Sequence, residues 1–140
     1  MKKYVLTLLL FLSVNGIFAS DYLIKLHISN IQVSSHKLYV LIYNSENTYN
    51  KTPFEIHIIS SDKEEITNIY SLPEGEYVIT VFQDLNDNTK LDTNIIGIPK
   101  EPVGISNYSG KGIPGGFNTL KLQISNNNIT IPIKLKEIKN

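Results

Sequence analysis

Short stretches in which apolar and polar residues alternate recur along this chain, and no stretch after the N-terminus keeps a helical period for three turns. In residues 22–29, for example, Ile24, Leu26 and Ile28 alternate with polar neighbours. A two-residue period is typical of a half-buried β-strand because successive side chains point to opposite faces. The pattern therefore predicts an all-β chain.

About seven strands are predicted, each bounded by residues that favour turns. They cover residues 22–29, 36–43, 54–58, 64–71, 75–82, 120–125 and 129–136. Both faces of 36–43 and 75–82 are apolar, as in central strands covered on two sides. Many short strands with turn signals between them favour a β-sandwich.

The last two predicted strands follow each other across a short polar turn, Asn126 to Asn128. Their closeness along the chain predicts a terminal hairpin. Pro132 lies inside the second of them and has no N–H to donate, so that strand is expected to lie at the edge of a sheet or to carry a bulge there.

The N-terminus has the three parts of a secretory signal peptide. Lys2 and Lys3 are basic, residues 5–12 are apolar, and the segment ends in the small residue Ala19. The apolar run is too short to span a bilayer. Residues 1–19 are therefore predicted to be removed on export, which leaves residues 20–140 as a single domain without a transmembrane segment.

The composition excludes several classes of function. After loss of the signal peptide, eleven lysines face thirteen acidic residues, a formal charge of −2, and arginine is absent. Recognition of nucleic acid needs a clustered basic surface, which this balance does not provide. The chain has no cysteine, so an exported domain must be held together without disulfides.

Oxygen-bearing side chains occupy nearly every second position directly after the strand 75–82. Counted from Asp84 as position 1, oxygens are available at Asn86, Asn88 and Asp92, and from the backbone carbonyl of Lys90. Ca²⁺ prefers six to eight oxygen ligands, and this spacing lets a tight loop wrap around it. The loop is therefore predicted to bind calcium.

Two departures separate this loop from an EF-hand. Thr89 stands at position 6 where the EF-hand has glycine, and Ile95 stands at position 12 where it has a bidentate Glu. Missing ligands would come from water, Asn94 or Glu101. The alternative is a turn in which the Asp and Asn side chains bind only their own backbone.

No other residues form a convincing site. His27, His36 and His57 lack metal-ligand spacing, and no Ser lies in a G-x-S-x-G elbow. No catalytic residue and no enzymatic activity are therefore predicted. Exposed tyrosines could stack on sugars, and the candidates for this are Tyr43, Tyr49, Tyr70 and Tyr108.

The central stretch resembles a family of exported bacterial proteins, domain of unknown function 2141. The resemblance is carried by LPEGEY (72–77), VFQD (81–84), NDN (86–88), KLDTN (90–94), GIPKE (97–101) and GISN (104–107). Thr89 replaces a glycine that is usual in the family.

The resemblance implies an immunoglobulin-like or transthyretin-like sandwich in the periplasm or outside a bacterial cell. The family has no established activity, so the leading hypothesis is a non-enzymatic binding or structural module at the cell envelope. Its partner would be an unidentified protein or glycan. The alternative is a carbohydrate- or small-ligand-binding module.

Overall fold

The computed structural model describes residues 20–138. The predicted signal peptide lies outside this range. The described chain contains eight strands and one short helix: β1 Asp21–Ser29, β2 Lys37–Tyr43, β3 Glu55–Ser60, β4 Glu65–Pro73, β5 Gly75–Asp84, β6 Val103–Ile105, α1 Phe117–Leu120, β7 Leu122–Ile124 and β8 Ile129–Lys134. The prediction of an all-β chain is confirmed, with eight strands instead of about seven.

The strands form two sheets. A three-stranded sheet has the order β4-β1-β8, and a five-stranded sheet has the order β3-β2-β5-β6, with β7 pairing to the first residues of β5. Strand β8 runs parallel to β1, while the other pairs are antiparallel. β6 and β7 thus occupy the same side of β5 at its two ends.

The main core lies between the two sheets. The three-stranded sheet contributes Ile24, Leu26 and Ile28 from β1, and the facing sheet contributes Leu38, Val40, Ile42, Ile79 and Val81. All eight are completely buried. The two-residue period of β1 and β2 thus directs one side of each strand into this core, as the sequence predicted.

A second, smaller core covers part of the outer face of the five-stranded sheet. Its buried members are Tyr43, Val78, Phe82, Val103, Ile105, Phe117 and Leu120. The second face of β5 packs here, which explains why this strand is apolar on both sides. The helix α1 is short, but its Phe117 and Leu120 close one end of this face.

The predicted terminal hairpin is wrong. β7 pairs with β5 and β8 pairs with β1, so the two strands belong to different sheets. The connection is bound to β1, because the Leu23 N–H donates to Asn127 Oδ1 (2.9 Å) and the Asn128 N–H donates to the Leu23 carbonyl (2.7 Å). The alternating pattern marks both strands but does not select their partners.

Two details of the strand edges bear on the surface. β8 is an edge strand and Pro132 is exposed on it, which confirms the prediction for this proline. In the edge strand β3, Ile56 and Ile58 are 55% and 57% exposed, whereas Glu55 and His57 are half-buried. The isoleucines point to the outer face of the sheet, where nothing in residues 20–138 fully covers them.

No helix within residues 20–138 is both long and apolar enough to cross a membrane.

Candidate functional site

The predicted calcium loop begins the connection between β5 and β6. Asp84 is the last residue of β5, and the chain returns to β6 at Val103. The base of the connection is closed where the Gln83 N–H donates to the Pro102 carbonyl (3.0 Å). Because β5 and β6 are antiparallel neighbours, both ends of the connection meet, and Glu101 returns beside Asp84 and Asp92.

Asp84 closes the first turn of the loop on its own backbone. Its side chain is only 2% exposed. Oδ1 accepts from the Asn88 N–H (3.2 Å) and Oδ2 accepts from the Thr89 N–H (2.7 Å). Backbone N–H donors to a carboxylate offset the cost of burying it.

The two asparagines and Asp92 are brought together at the tip of the loop. Asn86 Nδ2 and Asn88 Nδ2 both donate to Asp92 Oδ2, at 2.7 Å and 2.8 Å. Asn86 Oδ1 accepts from the Asn88 N–H (3.1 Å), and Asn88 Oδ1 accepts from the Lys90 N–H (2.9 Å). The last two contacts are those of a self-capped Asx turn, the alternative that the sequence left open, whereas the first two join side chains to one another.

Glu101 joins the far end of the connection to the loop and is 4% exposed. Oε1 accepts from the Leu85 N–H (3.0 Å) and Oε2 accepts from the Asp92 N–H (3.3 Å). Burial raises the pKa of Glu101, and the charges of Asp84 and Asp92 raise it further, while the two N–H donors lower it. A cation beside these carboxylates would relieve this repulsion.

All five residues predicted as metal ligands lie in this loop, yet their arrangement is not that of a formed metal centre. Asn86 and Asn88 point their amide nitrogens at Asp92, and within residues 20–138 no three His, Cys, Asp or Glu side chains converge as a metal site requires. The donor set still suits a hard cation, since it offers carboxylate and amide oxygens. Binding would require the two amide groups to turn their oxygens inward. Calcium binding therefore stays a prediction.

Of the additional ligands considered, Glu101 reaches the loop and Asn94 does not take part. Asn94 Oδ1 accepts from the N–H groups of Ile96 (3.1 Å) and Ile98 (2.9 Å) and so caps a separate turn. His36 also contacts the loop, because its Nδ1 lies 3.1 Å from Asp87 Oδ1. The Asp87 side chain is 69% exposed and hydrogen-bonds no other residue of the loop.

Thr89 holds a conformation that a β-branched residue rarely adopts, with φ of 66°. Glycine adopts this left-handed conformation without a steric cost. We expect Thr89→Gly to raise the free energy of unfolding by about 1 kcal/mol, because glycine adopts this φ without steric cost. Urea unfolding measures the change.

The control for this substitution is Thr130→Gly in β8. Thr130 is also exposed but lies in a regular strand, where glycine is expected to cost about 0.5–1 kcal/mol. Equal destabilisation at positions 89 and 130 would contradict a strained Thr89.

None of the four tyrosines suggested for sugar stacking is fully exposed. Tyr70 is buried in the main core, and Tyr43 is buried in the second core, where its pKa is raised to about 12 by burial and by Tyr49. Tyr49 meets Tyr43 edge-on at 5.2 Å, and Tyr108 donates its hydroxyl to the Gly112 carbonyl (2.6 Å). These rings act mainly in packing.

An apolar groove on the outer face of the five-stranded sheet was not predicted from the sequence. Its cavity measures about 630 Å³, and its apolar lining includes Tyr39, Leu41, Ile56, Ile58, Phe82 and Leu91. The sequence carries one signal for it, since both faces of β2 are apolar, but that pattern predicts a strand covered completely on both sides. The groove borders the predicted calcium loop, because Thr89, Lys90 and Leu91 form one of its walls.

Comparison with known proteins gives one family. The family profile described as "Uncharacterized protein conserved in bacteria (DUF2141)" matches residues 26–132, which include the five-stranded sheet, part of every strand of the other sheet and the whole β5–β6 connection. No curated protein and no solved structure matches this chain.

Proposed function

We propose, given that this chain belongs to the DUF2141 family of uncharacterised bacterial proteins, that it is an exported, non-enzymatic β-sandwich module whose Asp84–Asp92 loop is stabilised by Ca²⁺. Its role is binding or structural, at the cell envelope, in the periplasm or outside the cell. The sandwich is of the immunoglobulin-like or transthyretin-like kind. Its partner is a protein or a glycan of that compartment.

The observation that carries this proposal is that Glu101 accepts hydrogen bonds from the backbone of Leu85 and Asp92, which brings its charge near those of Asp84 and Asp92 in one connection. Two of these carboxylates are almost completely buried, and their mutual charge contributes to the raised pKa of Glu101. Lys90 is nearby in the chain, but residues 20–138 show no ion pair between it and any of the three. A divalent cation would neutralise this charge, and the amide oxygens of Asn86 and Asn88 would complete its ligands once these two side chains turn.

A non-enzymatic role is supported by how these carboxylates are used. Both oxygens of Asp84 and both oxygens of Glu101 accept backbone N–H groups. An acid or base must instead offer an oxygen to a substrate proton. Their chemistry is better suited to holding the loop in shape, and the loop in turn forms a wall of the groove.

Thermal unfolding of the exported protein in EDTA and in millimolar Ca²⁺ tests the calcium role, with Mg²⁺ as the competing ion. A ligand at a hundred times its dissociation constant adds about 2.7 kcal/mol to the stability, which raises Tm by several degrees for a domain of this size. We expect such a shift with Ca²⁺ and not with Mg²⁺.

Asp92→Asn makes this experiment specific. The amide keeps an oxygen that can accept from Asn86 and Asn88, so the protein in EDTA should lose little stability, but the charge that would face the ion is gone. We expect the calcium shift to disappear in this variant and to persist in Asp62→Asn, which changes an exposed Asp in another turn. An equal calcium shift in wild type and Asp92→Asn, or none in wild type, would exclude the calcium role.

Small-ligand binding is the second candidate, and the groove is the observation that favours it. Its volume falls within the range of about 300–1,000 Å³ found for ligand pockets. The sugar-binding form of this alternative lacks a set of exposed aromatic rings on one surface among the four tyrosines considered. The groove therefore points to a more apolar ligand.

A further inference from the structure

The floor of the groove is a continuous apolar surface across three adjacent strands. Tyr39 of β2 and Phe82 of β5 stack with ring centroids 5.1 Å apart and an angle of 12° between their planes. Leu41 continues this floor along β2, and Ile56 and Ile58 extend it over β3. Neighbouring strands are about 4.8 Å apart, so the floor is roughly 10 Å wide.

The groove is incompletely packed in the isolated chain. Ile56 and Ile58 remain more than half exposed at its side. At its base, Thr80 is buried, and its Oγ1 is the one buried side-chain polar atom without a hydrogen-bond partner in the described part of the protein. An apolar face left open beside an unpaired hydroxyl marks a place where the fold does not complete its own packing.

The charges around the groove have one sign. Lys51, from the loop between β2 and β3, and Lys90, from the β5–β6 connection, are exposed residues of the lining, and no acidic residue belongs to it. Neither lysine is in an ion pair within residues 20–138. The mature chain as a whole has more acids than bases, so this surface differs in sign from the rest. It is therefore complementary to a ligand that joins an apolar body to a negative charge.

We propose that this groove binds a single-chain amphipathic carboxylate, namely a free fatty acid of medium length. The alkyl chain lies over Tyr39, Leu41 and Phe82 and covers Ile56 and Ile58, while the carboxylate is neutralised by Lys51 or Lys90. The inference rests on the small-ligand alternative for the function and does not require bound calcium.

A second copy of this chain is a less suitable occupant. A symmetric contact through the groove would place the lysines of both copies around the same apolar patch. Like charges at an interface oppose association. A fatty acid has the opposite charge and covers the same apolar surface without this repulsion.

Titration calorimetry of the exported protein in EDTA tests the proposal, since EDTA also prevents precipitation of fatty acids by calcium. The probes are octanoate, decanoate and dodecanoate below their micelle concentrations, with dodecylamine as a cation of equal chain length. We expect one site, an affinity that rises about two- to fourfold for each added methylene, and weaker binding of dodecylamine. Because calcium is absent, a failure here is distinguishable from a failure of the calcium proposal.

Exposed residues allow variants that preserve the fold. Lys51→Gln combined with Lys90→Gln should weaken dodecanoate about fivefold, the upper range for exposed ion pairs. The two single variants show which loop holds the carboxylate. Lys25→Gln combined with Lys63→Gln removes the same charge away from the groove, from β1 and from the turn before β4, and should have no effect.

The apolar side has its own pair of variants. Ile58→Ser should weaken the binding of dodecanoate several-fold. Ile69→Ser should not, because Ile69 is similarly exposed but lies on β4 of the other sheet. The proposal is overturned if no chain length binds, if dodecylamine binds as tightly as dodecanoate, or if control and groove variants lose affinity equally. A dimer in sedimentation that Ile58→Ser dissociates would assign the groove to a second copy instead.

Discussion

Replacing Gly104 by alanine is expected to lower the free energy of unfolding by about 3 kcal/mol, at the upper end for overpacking a closed site. A Cβ at this position would lie 2.5 Å from Ile133 Cγ2 and 2.8 Å from the Lys134 carbonyl oxygen. The carbonyl belongs to backbone and cannot move aside as a flexible side chain would. Strand β6 would have to separate from β8.

Gly104→Ala should affect more than this one contact, because β6 and β8 belong to different sheets. Beside Gly104, Val103 exchanges two backbone hydrogen bonds of 3.0 Å with Lys136, which connect the sheets at this edge. Loss of about 3 kcal/mol should lower Tm by roughly 10 °C for a domain of this size. Urea and thermal unfolding measure both quantities.

Gly116→Ala is the matched control for this substitution. A Cβ added at Gly116 would meet no atom within 4 Å, and the residue has a negative φ of −79°. Its replacement should change stability by less than about 0.5 kcal/mol. If Gly104→Ala changed the free energy of unfolding as little as Gly116→Ala does, β6 and β8 would not approach each other as closely as the structure shows.

Replacing Glu101 by alanine is expected to cost about 3 kcal/mol in EDTA, because the N–H groups of Leu85 and Asp92 lose their acceptors in a buried place. Hydrogen exchange at these two amides should accelerate more than exchange in β1. Glu74→Ala removes an exposed Glu and should have little effect. Unchanged exchange at Leu85 and Asp92 would contradict the role given to Glu101.

The pH dependence of this cost has a defined sign. Burial raises the pKa of Glu101 above its ordinary value; the N–H groups of Asp92 and Leu85 oppose this in part, and the charges of Asp84 and Asp92 add to it. The folded protein therefore binds the Glu101 proton more tightly than the unfolded chain does. The stability that this protonation contributes is fully present below the ordinary carboxyl pKa. It is lost as the pH rises through the raised pKa. The cost of Glu101→Ala should thus shrink between acidic and neutral pH in EDTA.

Much of the fold and of the loop could be predicted from local pattern. Alternation identified β1, β2 and β5, and Pro132 identified an edge strand, because one missing N–H excludes a proline from the middle of a sheet. The spacing of Asp84, Asn86, Asn88 and Asp92 placed their side chains in one loop. Such predictions depend only on residues that are close in the chain.

Partners distant in the chain were not determined in this way. The pairing of β7 with β5 and of β8 with β1 was missed, since an alternating strand is compatible with many neighbours. Glu101 was one possibility among several until the antiparallel β5–β6 pair returned it to Leu85 and Asp92.

The sequence by itself determined the secondary structure class, the family and the composition of the Asp/Asn loop, because these are written in neighbouring residues. Tertiary structure alone decided how the loop hydrogen-bonds and that Ile56 and Ile58 face outward. It also placed Lys51 and Lys90 around one apolar groove. The physical reason is that a strand pattern states which residues share a face, whereas what covers that face depends on loops that lie far apart in the chain.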